Sequence, residues 1–334
     1  MTELATAVPA ATRTSTAVPP TAPVAPADEP HRLAVPPSLF IDHGPPFVLF
    51  DGRGRRADLL IARQVWVAPS DLGALDRWLR LRLPMLLASS RVTPKARAWG
   101  LHRALRSATA EALAAIPSHP AAVSPLIDAL AVAAQYVWEQ PPPYLAALAG
   151  GGEQAPAAHA VRTSMYALVL AAAAGIDRTA ARAGVMLAAA LADVGRWQSP
   201  LAAVRRPGPL SVEEWTMMRL HAERSAELLL HAGVGTTATV RAARHHHEWW
   251  DGGGYPARLA HDAIPLEARI VAIADAYAAL TADRPHMAAR PGYEALLEMA
   301  RTTGQFDPGL LRLFITTLAR IAPVEHEGLQ PLDA

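Results

Sequence analysis

The chain has 334 residues, 51% of them hydrophobic and 18% charged, with 31 basic and 30 acidic side chains and a formal net charge of +1. That length can bury a sizeable core and divide into about two domains, while the balanced charge leaves no electrostatic footprint for nucleic acid. Cysteine is absent, which excludes disulfides and thiolate metal sites and leaves His, Asp and Glu as the strong metal ligands.

Residues 1–35 repeat Pro, Ala, Thr and Val with few large apolar side chains. So little apolar surface cannot offset the entropy of ordering a backbone, and a disordered tail is expected. The tail has no basic start followed by an apolar core, so it does not read as a secretory signal, and a cytoplasmic location is expected. Residues 36–149 read as a small α+β N-terminal domain. Its apolar runs are Leu39-Phe40-Ile41, Pro46 to Phe50, Leu59-Leu60-Ile61 and Val65-Trp66-Val67. They are punctuated by His43-Gly44-Pro45 and Asp51-Gly52-Arg53-Gly54, which predicts a small antiparallel meander. Ser70 then serves as an N-cap for a helix carrying Leu72, Leu75, Trp78, Leu79 and Leu83 at helical spacing. A second helix is predicted from about Thr93 to Ala115. A third runs from Pro120 to Trp138 and stops at Pro141-Pro142-Pro143. Trp66, Trp78 and Trp99 are assigned to the core.

The glycines at 150–152 mark a boundary. Beyond them, helical periodicity over 156–174, 178–195, 211–232, 236–249, 265–282, 291–303 and 308–321 predicts an all-α domain, 150–325, before a tail at 326–334. The fold class is therefore mainly α, an all-α C-terminal bundle behind a small α+β unit. The apolar stretches Tyr166 to Gly175 and Val185 to Leu191 are shorter than the roughly 20 residues of a membrane-spanning helix, and no membrane association is expected.

Within the helical half, His159, Asp193, His221, His245-His246-His247 and Asp275 stand where helices should end or turn. Taken singly, each is an ordinary core or surface residue. Spread over about 115 residues, they form one site only if a bundle brings several helices together.

The segment His246-His247-Glu248-Trp249-Trp250-Asp251-Gly252-Gly253-Gly254-Tyr255-Pro256 closely resembles the HHExxDGxGYP signature of HD-GYP domains. Ile264-Pro265, Arg269-Ile270, Ala274-Asp275-Ala276-Tyr277 to Thr281, Asp283-Arg284-Pro285 and Gln305-Phe306-Asp307-Pro308 continue the family's order. Upstream, Pro207 to Glu214 with His221 is similar to its "KPGxLTxEE…H" segment, and His159 falls at the family's first histidine. The resemblance covers about residues 155–320 and implies an HD-type bundle that hydrolyses cyclic di-GMP with one or two divalent ions, iron or manganese for preference. It implies Asp193 as a bridging carboxylate, His221, His246 and His247 on the second metal, and His159 with Asp275 on the first. Asp193 and Arg196 are the catalytic candidates; Arg196, Arg284 and Tyr255 are the substrate contacts. Glu248 and Asp251 read as residues that orient histidines or fix the loop. The loop of Asp251, Gly252, Gly254, Tyr255 and Pro256 needs positive φ across its glycines and offers a face to a protein partner. The N-terminal unit is expected to regulate or dimerise the other.

The resemblance has gaps. Ala192 stands where the family has the histidine of its HD pair, and Ala155 where three-metal members have a glutamate. Met287 replaces the cation expected after Asp283-Arg284-Pro285. The competing expectation is therefore a noncatalytic nucleotide receptor or protein-interaction module. A general HD phosphohydrolase of nucleotides is a third, which leaves the GYP signature unused.

Overall fold

The computed structural model describes residues 32–59, 62–116, 118–139, 144, 155–197, 211–283 and 288–321. The predicted stops at 141–143 and 150–152, most of the predicted N-terminal tail and the tail at 326–334 lie outside those residues.

The N-terminal sheet is not a meander. Strands β1 (Leu33–Val35) and β2 (Leu49–Phe50) both pair antiparallel with β3 (Val65–Val67), in the order β1-β3-β2. Leu33 and Leu49 lie opposite Val67, and Val35 opposite Val65. Leu33 to Val35 thus leave the expected tail: a short apolar segment finds its partner some thirty residues on, which a composition average hides. Leu39 and Phe40 lie in a 3-10 turn, Pro37–Phe40, because a proline at its start fixes φ and offers no N–H to a ladder. Leu59 sits in a turn, and Leu60 and Ile61 lie outside the described residues.

Helix α1 (Leu72–Ala88) follows a 3-10 turn, Pro69–Asp71, so Ser70 lies within that turn instead of capping the helix. Helix α2 (Pro94–Ala115) starts on Thr93, whose hydroxyl accepts from Ala96 N, with Pro94 at the first helical position. Helix α3 (Ser124–Glu139) belongs to the stretch Pro120–Glu139, which is long and apolar enough to cross a membrane. Its Leu126, Leu130, Ala133, Ala134 and Val137 face are buried in the core instead. Trp78 is buried and packs on Phe40; Trp66 and Trp99 are half-buried.

Among the described residues the C-terminal half forms helices joined by turns and loops, with no strand: α4 (Pro156–Ala173), α5 (Thr179–Leu191), α6 (Val194–Trp197), α7 (Val212–Arg219), α8 (His221–His231), α9 (Thr237–His245), α10 (Leu266–Leu280), α11 (Gly292–Arg301) and α12 (Pro308–Ile321). Two helices expected to be continuous are broken, at Ala192-Asp193 and at Leu220. Apolar periodicity carries through a short turn, so the breaks were invisible to it. Helix α4 is buried on all sides, as a helix enclosed by others must be. It packs on α5, α10, α12, α2 and α3. Tyr166 of α4, Tyr277 of α10 and Phe314 of α12 meet edge to face, with centroids 4.8 to 6.2 Å apart. One apolar core runs from Val35 to Leu318 without interruption between the halves.

Candidate metal centre

Asp193 stands in the turn between α5 and α6, and a glycine two residues on decides where it points. A Cβ on Gly195 would lie 2.7 Å from both His221 O and Ser225 N, and 2.9 Å from Arg224 Cβ. Gly195 N also donates to Ser225 Oγ at 2.9 Å. Only glycine lets α6 lie this close to α8, and that contact brings His221 Nε2 to 3.1 Å from Asp193 Oδ1. His246, at the end of α9, adds its Nε2 at 3.9 Å from the same oxygen.

Two of the imidazoles are held in one tautomer by backbone carbonyls three residues back along the chain. His221 Nδ1 bonds Met218 O at 2.5 Å and His246 Nδ1 bonds Ala243 O at 2.8 Å. A carbonyl only accepts, so each Nδ1 carries the proton and each Nε2 presents its lone pair to the pocket. Asp193 Oδ1, His221 Nε2 and His246 Nε2 are buried with no hydrogen-bond partner. His221 Nε2 and Oδ1 are close without being aligned as donor and acceptor, which is the arrangement of atoms directed at a common third point.

His247 stacks on Tyr255 with centroids 4.9 Å apart and planes at 29°, and lies 4.0 Å from the His246 ring. The loop that carries Tyr255 is fixed by the residues assigned to it. Glu248, buried, accepts from Ala257 N at 2.7 Å and Leu259 N at 3.1 Å, and lies 3.3 Å from His245 Nδ1, which turns that histidine away from the pocket. Asp251 Oδ1 accepts from Gly253 N, and the backbones of Trp250 and Asp251 donate to Gln305 O and Gly304 O. Among the loop's three glycines positive φ is confined to Gly252, at +84°, and Arg258 and His261 take it further on. Gly254 is needed for space: a Cβ there would lie 2.2 Å from Trp249 N. Pro256 follows Tyr255 through a cis bond. The later matches to the family are equally structural, for Arg269 donates to Asp307 at 2.7 Å and lies over Trp250.

On the other side of Asp193, His159 Nε2 lies 2.7 Å from Asp275 Oδ1, joining α4 to α10. Ala192, buried, brings no ligand atom. Arg196 Nη1 is 3.7 Å from Asp193 Oδ2. Arg284 and Met287 lie outside the described residues.

The donor set fits a divalent ion. Ligand atoms of Asp193, His221, His246 and His247 all lie within 4.8 Å of one another, and so do those of His159, Asp193 and Asp275. Burial works to raise the Asp193 carboxyl, but His221, Arg196 and His246 outweigh it and hold the group well below the usual carboxylate range. Burial, then the neighbouring imidazoles, lowers His246, and lowers His247 further. Burial also works against a charged His221, but Asp193 raises it. An ionised carboxylate beside two imidazoles that resist protonation, His246 and His247, is a cation site without its cation's charge.

Residues 145–310 match the family model for the HD domain. A cyclic di-GMP phosphodiesterase of Pseudomonas aeruginosa is 36% identical over 138 residues, 41% of this chain and 33% of the relative. A second cyclic di-GMP phosphodiesterase, from Vibrio cholerae, is 35% identical over 185 residues, 51% of this chain and 38% of the relative. Residues 145–310 are thus an HD domain, and the segment 246–256 within it resembles the HD-GYP signature. A 3'3'-cGAMP-specific phosphodiesterase from Vibrio cholerae is 34% identical over 161 residues, 47% of this chain and 30% of the relative. The chain thus spans about a third of the length of these relatives. The solved structure of Bd1817, an HDG"Y"P protein from Bdellovibrio bacteriovorus, shares the fold with a TM-score of 0.66 at 17% identity. It covers 86% of this chain and 99% of its own, so the likeness reaches beyond the HD-GYP half into the N-terminal unit. HD-domain phosphohydrolases depend on metal, and this chain has a His/Asp cluster that could hold one.

Sequence reading missed Gly195 and Ser225, which set the distance between Asp193 and His221, since a close helix approach leaves no local signature. It also passed over the Ser211-x-x-Glu214 capping box that starts α7, which the S-x-x-E spacing does signal.

Proposed function

We propose that this chain is a metal-dependent phosphodiesterase that opens cyclic di-GMP to the linear dinucleotide or GMP in bacterial second-messenger signalling. The observation that carries the reading is the convergence of Asp193 Oδ1 with the unbonded Nε2 atoms of His221 and His246 in one buried pocket, within a domain whose relatives bear cyclic dinucleotide phosphodiesterase names. Asp193, common to both groups of ligand atoms, would be shared between two metal positions; His221, His246 and His247 would hold one, and His159 with Asp275 the other. When bound, iron or manganese at these nitrogen and oxygen ligands supplies charge that neutralises phosphoryl oxygens and acidifies water. Arg196, close to Asp193 and half-buried, would contact the anionic substrate, and the resemblance gives the same role to Arg284, which lies outside the described residues. Tyr255 forms the rim. The reading also carries a cytoplasmic location, a regulatory or dimerising N-terminal unit (36–149) ahead of the catalytic unit (150–325), and a protein partner at the Asp251–Pro256 loop, where Trp249 is exposed.

Ala192 favours a second reading, a receptor that binds the nucleotide without hydrolysing it, because the His159 side lacks one ligand atom. The test combines metal analysis of the purified protein with cyclic di-GMP turnover under reducing conditions with added iron or manganese. Turnover abolished by His246→Ala supports the enzyme; binding without turnover supports the receptor. Ala192→His should raise the metal content by up to one equivalent, and an unchanged content would show that the first site has diverged beyond that residue.

A further inference from the structure

Helix α7 has no buried side chain. It is held by its capping box at one end and by continuity with α8 at the other, yet it displays Val212, Trp215 and Met217 to solvent, Trp215 at 49% exposure. Arg219, on its last turn, lies over two rings at once, 5.7 Å from the Trp215 centroid and 5.3 Å from that of Tyr255. Tyr255 stacks in turn on His247. A column Trp215, Arg219, Tyr255, His247 therefore runs from solvent to the metal centre, each step between 4.9 and 5.7 Å.

Among the described residues no carboxylate pairs with Arg219, and the acid one turn on, Glu223, is taken by Arg244 at 3.1 Å. A guanidinium lying over aromatic faces keeps its five N–H donors in its own plane, where they can meet a phosphate in a two-pronged contact. The exposed indole adds a π-face, which suits a nucleobase irrespective of its hydrogen-bonding edge.

We propose that Trp215 and Arg219 form an outer nucleotide subsite, in which the Trp215 indole stacks on a purine base and Arg219 donates to a phosphate oxygen of a phosphodiester reaching the metal centre. The proposal rests on the cyclic dinucleotide reading above and adds to it the residues that hold the part of the ligand farthest from the metal.

Calorimetric titration of the manganese-loaded full chain with cyclic di-GMP tests it, using Trp215→Ala, Trp215→Phe, Arg219→Ala and Arg219→Lys. Base stacking of ~1–3 kcal/mol corresponds to a loss of about 5- to 150-fold for Trp215→Ala, with Trp215→Phe staying near the parent. Arg219→Ala should weaken binding and flatten its salt dependence, and Arg219→Lys should restore the salt dependence without the full affinity. Binding of manganese alone, and hydrolysis of bis(4-nitrophenyl) phosphate where the parent shows it, should be unchanged by Trp215→Ala, since neither needs a purine seat. Equal affinities for parent and Trp215→Ala would overturn the subsite and leave the phosphodiesterase reading standing. Failure of the parent itself to bind cyclic di-GMP would overturn both. Thermal melts verify folding, which a half-exposed side chain on a helix without buried residues should not disturb.

Discussion

The two sides of Asp193 are built differently. On one side His221 and His246 are buried, each tied through Nδ1 to a carbonyl three residues back along the chain, Met218 at the end of α7 and Ala243 in α9. Those ligands are oriented by local backbone before any ion arrives. On the other, His159 is oriented by Asp275, 116 residues away and on a different helix, and Ala192 adds a methyl where a ligand would stand. The pair there satisfies itself at 2.7 Å, whereas the histidine side leaves three buried polar atoms unsatisfied. Preorganised and orphaned donors gain most from a cation, so metal affinity should concentrate on the histidine side.

The sharpest way to break this comparison is a pair of variants. His246→Ala should lower metal affinity by more than roughly 100-fold, since losing even a partner that supports a ligand costs about 10–100-fold. His159→Ala should stay within about tenfold of the parent. Competitive metal titration reads both, and equal losses would erase the asymmetry.

A smaller effect is expected from the contact that joins Asp193 to the histidine side. Gly195→Ala forces a Cβ against His221 O and Ser225 N, and overpacking of that kind costs about 3 kcal/mol at the upper end of its usual range. Chemical denaturation should show the loss, with a parallel fall in metal affinity. Unchanged affinity at reduced stability would mean that Asp193 does not depend on the α6–α8 contact.

The weaker side rests on α4, which meets His102 of α2 across a gap lined by Leu105, Val161, Met165 and Tyr144. Burial, then the charges of Arg106 and Arg162, pushes His102 from 6.5 down to about 4. The unfolded chain takes up a proton as pH falls through 6.5 while the folded chain stays neutral to about 4. Stability from this group is thus complete above 6.5 and declines between 6.5 and 4. By pH 5 the loss is about 2 kcal/mol, at ~1.36 kcal/mol per unit. His102→Leu should shrink the stability difference between pH 7 and pH 5 by about that amount in urea titrations. An unaltered difference would place the acid sensitivity elsewhere, for instance at the metal centre.

Much of this arrangement was legible before any coordinates. Each C-terminal helix appeared near its expected place because apolar spacing at 3.6 residues survives without tertiary knowledge. His159, Asp193, His221, His246, His247 and Asp275 were all named from the resemblance, and they converge. The β1-β3-β2 order was not legible, since strands of two or three residues carry too little pattern to reveal their partners. Glu248 was legible as a residue that orients a histidine or fixes the loop, but not which N–H groups it ties, those of Ala257 and Leu259, because acceptors of loop N–H groups have no spacing of their own.

By itself the sequence determined a mainly helical chain, free of thiolate chemistry, with a recognisable histidine and aspartate inventory whose HD pair is incomplete. The tertiary structure decided what periodicity cannot encode: that Gly195 lets two helices touch, that two imidazoles are locked with Nε2 inward, and that Arg219 lies between two rings beside the centre. The reason is one of range. Secondary structure follows from neighbours along the chain, while a ligand cluster is set by the distance and direction of groups that only packing brings together.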